Sequence, residues 1–340
     1  MINDYDKSIH RHTIELLDVQ TGELHRYAER QASGWVAWLP QQQALAYSDF
    51  EYLNQQSQGK YREDLWISWG SPQQAQRVAT GADSDSLAID PTGHVTYFPR
   101  EGGGQPLGLQ LQQVDVTTLA KQVPSLDLAQ WDLSDSSRAK QDFKPADRRL
   151  QSTWRPGQAS QVLLSLTGAG MLLADTQTGE ICRISIRQQD KPLSGSVATW
   201  SPGGQHLAML VRPTVSEGET RRHLAVFDMN TGQMSFPDLG TGDLLDIAWG
   251  PDSQHLVALM KVVLSNAAGD IKYELYMIDV PTQTARQILP EARVGGGTGG
   301  WGEMSWSPDG RYLAINCPIR SPGHPIIEQR ICLITTSKVP

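Results

Sequence analysis

Cysteine is scarce in this chain. Three in 340 residues are too few for the disulfide framework of a small secreted domain, and the odd number leaves at least one outside any intrachain pair. Long apolar runs are missing as well: nothing approaches the roughly 18 to 20 residues a membrane-spanning helix needs. No run of about ten residues or more carries a clear helical period, which argues against helical layers. Basic residues are outnumbered, with 29 Lys and Arg against 37 Asp and Glu and a net charge of -8. Phosphate binding relies on clustered Lys and Arg, so nucleic acid is not expected as the main partner. The opening MINDYDKS lacks a basic segment followed by an apolar one. The expectation is a cytoplasmic protein, or a periplasmic or cell-envelope one if the chain is a processed or trimmed form.

What the chain has is repetition. Six stretches say nearly the same thing: WLPQQQALAY from Trp38, IDPTGHVTY from Ile89, WRPGQASQVLLS from Trp154, WSPGGQHLAML from Trp200, WGPDSQHLVAL from Trp249 and WSPDGRYLAIN from Trp306. They recur about every 45 to 65 residues, the spacing of a blade of strands. A second pattern falls between the copies: ELLDVQTGEL, QQVDVTTLA, LLADTQTGEI, AVFDMNTGQM and YMIDVPTQTA. Each runs aliphatic residues into an Asp, then Thr-Gly or its relic, then a second strand. Asp and Thr side chains can bond the turn backbone and Gly can take positive φ, so each reads as a β-hairpin.

The first motif is also a hairpin. Two hairpins per repeat give four antiparallel strands, A to D, and such sheets repeated about an axis make an all-β propeller. Six blades of about 50 residues need roughly 300, so a single propeller domain is expected over residues 13–335, with tails at 1–12 and 336–340. Strand bookkeeping leaves one strand over. The segment Glu23 to Ala28 can serve as the fourth strand of the last blade, which gives six blades; seven, with a blade cut short upstream, is the alternative. Cys317 and Cys332 fall on strands B and C of that last blade, where they can face each other; Cys182 reads as a small core residue.

The W-S-P-D-G-x-x-L-A hairpin followed by aliphatic-D-x-x-T-G-E/Q resembles the WD-like repeat of TolB-type propellers, also found in the propeller domains of tricorn and prolyl-oligopeptidase-type peptidases. The resemblance runs from about Thr13 to Thr335. The chain departs from it where Ile89 replaces Trp and where Gln41 to Gln43 replace the turn glycine, and nothing in it resembles the separate N-terminal domain of TolB. The resemblance implies the fold and leaves function open, because propellers host unrelated activities.

Strand direction yields a functional expectation. With A up, B down, C up and D down, the A–B and C–D turns share one end of the blades, and the B–C and D–A connections share the other. The long connections all belong to the second set: Glu51 to Glu63, Pro99 to Pro106, Arg212 to Arg222, Val262 to Ile271 and Pro318 to Gln329 between B and C, and Pro124 to Leu150 and Pro290 to Gly300 between D and A. Long loops on a rigid scaffold are where binding residues concentrate. Those loops hold Tyr52, Tyr61, Arg62, Arg100, Trp131, Arg221, Arg222, Arg320 and His324, and aromatics and arginines dominate interface energies. The insertion from Pro124 to Leu150 is too short for a full blade and reads as a flap anchored by Trp131, Leu133 and Phe143, with a degenerate blade fragment as the alternative.

Signatures of chemistry are weak. No G-x-S-x-G hydrolase elbow occurs, so no oligopeptidase catalytic domain is expected within this chain. GGGTGG at Gly295 to Gly300 satisfies G-x-G-x-x-G, but a strand follows it where a dinucleotide site needs a helix. His206 and His255 share the repeat position of Tyr312, which points to a structural role. His10 and His12 sit in the N-terminal tail, and Asp83 with Asp85 makes only half a calcium loop. No catalytic residue, cofactor or metal site is expected. The sequence favours a non-enzymatic propeller that binds a protein or peptide through its loop-rich end, within a multi-protein complex. The alternatives are a propeller-fold enzyme or glycan-binding protein using Arg100, Arg221, Arg320 and His324 at a channel mouth, or the gating propeller of a larger peptidase.

Overall fold

The computed structural model describes residues 13–17, 21–29, 32–39, 42–52, 61–69, 74–101, 105–106, 110–124, 126, 150–166, 170–213, 221–263, 271–292, 304–316, 319–320, 327–328 and 331–335. Six sheets, mostly four-stranded and antiparallel, make the chain an all-β six-bladed propeller. By its contacts the chain divides into two compact units, residues 1–154 with 159–183, and residues 155–158 with 184–340.

In the first unit β1 (Thr13–Leu17) and β2 (Leu24–Glu29) pair as a separate hairpin. Blade one is β3 (Ala32–Leu39), β4 (Ala44–Tyr52), β5 (Tyr61–Trp69) and β6 (Gln76–Thr80). Blade two is β7 (Ala88–Ile89), β8 (Val95–Tyr97), β11 (Gln112–Val114) and β12 (Lys121–Gln122), with a small hairpin of β9 (Arg100–Glu101) and β10 (Gln105–Pro106) between its B and C strands. Blade three is β13 (Leu150–Trp154), β14 (Gln161–Leu166), β15 (Gly170–Asp175) and β16 (Ile181–Ile184).

In the second unit blade four has five strands: β17 (Ile186–Gln188), β18 (Lys191–Trp200), β19 (His206–Pro213), β20 (His223–Asp228) and β21 (Gln233–Ser235). Blade five is β22 (Asp243–Trp249), β23 (His255–Val263), β24 (Ile271–Asp279) and β25 (Thr284–Ala292). Blade six has β26 (Met304–Trp306), β27 (Tyr312–Asn316) and β30 (Ile331–Thr335), with β28 (Ile319–Arg320) and β29 (Ile327–Glu328) as a hairpin in its B–C connection. Among the described residues β2 pairs only with β1, and blade six has three strands. Cys332 on β30 is disulfide-bonded, while Cys182 is free and exposed where a core place was expected. Cys317 lies outside the described residues.

The turns form for the expected reasons. In the C–D turn of blade three, Asp175 Oδ1 accepts the N–H groups of Gln177 and Thr178 at 2.9 and 3.0 Å, and Gly179 takes φ 76°. Blade four repeats this with Asp228, Asn230, Thr231 and Gly232. The relics keep the geometry without the glycine, since Leu119 and Gln283 stand in the left-handed region in their turns. That costs about 1–2 kcal/mol at a residue with a Cβ, which the Asp-centred hydrogen bonds offset.

Packing follows from blade order within each unit. Strands β19 and β23 are buried on both faces, so their sequences HLAMLV and HLVALM run apolar where a half-buried strand would alternate. Leu65 and Ile67 of blade one share a core with Val95 and Tyr97 of blade two. Leu210 and Val226 of blade four share one with Leu256 and Met260 of blade five. The repeated Trp ties a blade to its predecessor: Trp249 Nε1 donates to the Thr199 carbonyl at 3.0 Å and Trp306 Nε1 to that of Ala248 at 3.3 Å. Burying each large side chain stabilises by about 1.5–3 kcal/mol.

Candidate functional site

The two ends of the blades differ in chemistry. At the end carrying the A–B and C–D turns, the turn carboxylates bond the backbone of their own turns. Asp90 in blade two is buried and accepts from the Thr92 N–H at 2.8 Å, the His94 N–H at 2.9 Å and the Gln113 side-chain amide at 2.5 Å. His255 in blade five lies between Asp252, 2.6 Å from its Nδ1, and Asp279, 3.8 Å from its Nε2. His206 instead stacks against Trp249 with ring centroids 6.0 Å apart. The Thr282 hydroxyl, then its N–H, holds Asp279 below the ordinary carboxylate value. The carboxylates of Asp90 and Asp252 lock their turns. Among the described residues no three His, Cys, Asp or Glu side chains converge to hold a metal ion, and no helix is long and apolar enough to cross a membrane.

The other end carries the B–C and D–A connections, and the sequence-predicted residues fall in four of its blades. Tyr52 and Tyr61 stand opposite each other as the last pair of β4 and β5. Arg62 grips the buried Asp64 through Nε at 2.9 Å and Nη2 at 3.0 Å, and Arg77 reaches the same carboxylate at 3.2 Å. Arg100 pairs with Pro106 in the β9–β10 hairpin, which lies beside β5. Arg320 pairs with Ile327 in the corresponding hairpin of blade six. Trp131, Leu133, Phe143 and His324 lie outside the described residues, as do His10, His12 and Gly295 to Gly300.

Arg222 lines a defined pocket. Where blades four and five adjoin, a pocket of about 150 Å³ opens over the buried Leu224, Leu239, Leu244 and Met260. Its rim is polar, with Gln188, Arg222, His223 and Asp238. Arg222 is fixed by Asp243: its backbone N–H and Nε donate to Oδ1 at 2.8 and 3.2 Å, and Nη2 donates to Oδ2 at 3.1 Å. Burial alone would raise the Asp243 carboxyl. The Arg222 side chain and N–H, with the charges of Arg222 and Lys261, outweigh it and hold the group below its ordinary value. The neighbouring Arg221 is exposed. Arg100 and Arg320 are not among the residues lining this pocket.

Sequence reasoning missed the part played by blade four's first hairpin. Leu193 of β18 pairs with Pro213, the last residue of β19, and among the described residues the strand partner of Lys191 and Pro192 is β17. The β17–β18 hairpin thus extends beyond the described end of β19, and its Gln188 lines the pocket. The segment IRQQDKP carries no glycine or Asn-Gly to announce a two-residue turn, yet Gln189 and Asp190 both adopt positive φ, 48° and 62°.

No family model matches the chain, and no curated protein matches it in sequence. Solved structures do resemble it. Puromycin hydrolase aligns with a TM-score of 0.53 at 15% identity, over 92% of this chain and 48% of that one. A prolyl endopeptidase aligns with a TM-score of 0.54 at 9% identity, over 90% of this chain and 43% of that one. TolB from Acinetobacter baumannii aligns with a TM-score of 0.49 at 14% identity, over 82% of this chain and 60% of that one. The chain therefore spans about half the length of the hydrolase and the endopeptidase. Identities this low show the fold alone, and these neighbours range from a hydrolase and an endopeptidase to TolB.

Proposed function

We propose that this chain is a non-enzymatic β-propeller that binds a protein or peptide partner through the loop-rich end of its blades, as one component of a larger assembly. The observation that carries the reading is the asymmetry between the ends. The turn end spends its carboxylates and hydroxyls on its own backbone, as at Asp90 and Asp175. At the loop end, blades four and five open a small pocket whose lining includes Gln188, Arg222, His223 and Asp238, and Arg221, next to Arg222 in sequence, is exposed. Polar side chains on the long connections of a rigid scaffold are available to a partner.

The test is affinity capture with the full chain from its native cells under cross-linking, followed by purification of the captured partner and measurement of its Kd. Arg221→Glu at the loop end is expected to weaken binding about tenfold, the order of one interface hot spot. Gln177→Lys and Asn230→Lys, both exposed at the turn end, are expected to leave it unchanged. Loss of binding in the turn-end pair with full binding in Arg221→Glu would overturn the assignment.

A further inference from the structure

We draw no further inference here: the strongest candidate, the face of blade one on which Val36 and Trp38 stand half exposed beside the buried Tyr47 and Leu45, carries nothing, because nothing in the structure shows what covers it.

Discussion

The indole nitrogen of Trp154 in blade three donates to the hydroxyl oxygen of Thr96 in blade two at 2.8 Å, and both side chains are buried. The same hydroxyl donates onward to the Ala88 carbonyl at 3.2 Å, so one threonine joins the A strand of its own blade to the tryptophan of the next. Thr96→Val should therefore cost about 1–3 kcal/mol, because it strands a buried indole N–H. Trp154→Phe loses the bond and some volume, but leaves the Thr96 hydroxyl its bond to Ala88. A double-mutant cycle on urea unfolding should return a coupling of about 1 kcal/mol. Additive effects would mean the bond contributes nothing.

Two glycines with nearly the same backbone separate conformational from steric cost. Gly204 and Gly232 take φ of 68° and 69°. A Cβ on Gly232 would meet nothing within 4 Å, whereas one on Gly204 would lie 2.3 Å from the Pro156 carbonyl oxygen. Gly232→Ala should cost about 1–2 kcal/mol for the left-handed conformation alone. Gly204→Ala should exceed that by about 1 kcal/mol or more, since backbone must move. Equal thermal shifts for the two would contradict the close approach.

Acid should weaken the turns in a way that can be followed at one carboxyl. The Ser307 hydroxyl, then the N–H and guanidinium of Arg311, lowers Asp309 from 3.8 to about 2. A carboxyl depressed in the folded chain contributes stability above its ordinary value, and that contribution is lost as pH falls from 3.8 through about 2. Asp115, Asp175 and Asp228 are lowered chiefly by turn N–H groups and act with the same sign. A carbon-13 titration should place the Asp309 midpoint near 2 and move it upward in Ser307→Ala. A midpoint unmoved by Ser307→Ala would exclude the hydroxyl as the cause.

The pair of Arg222 and Asp243 can be weighed by substitution. Asp243 and Arg222 keep 32% and 22% side-chain exposure, so their pairing is screened in part. Asp243→Asn should cost about 1 kcal/mol of stability. Urea unfolding of the variant measures the loss, and an unchanged midpoint would show that the pair contributes nothing to the fold.

The repeat was legible because its turns have side-chain causes: Asp175, Thr178 and Gly179 announce their hairpin, and Trp200 and Trp249 mark where A strands end. The loop-rich end followed from strand direction and connection length. Other features depended on the folded chain. Arg222 and Asp243 are 21 residues apart and belong to neighbouring blades, so no local pattern pairs them. Arg62 reads from the sequence as a loop contact residue, but the Asp64 two positions on holds its guanidinium. Strand β17 escaped notice because three residues carry no period, and Gln189 with Asp190 makes a turn that sequence rules reserve for Asn-Gly.

Near-identical blades would present near-identical surfaces, with nothing to tell one from the next. The additional strand beside Gln188 removes that degeneracy and gives blade four an outline of its own.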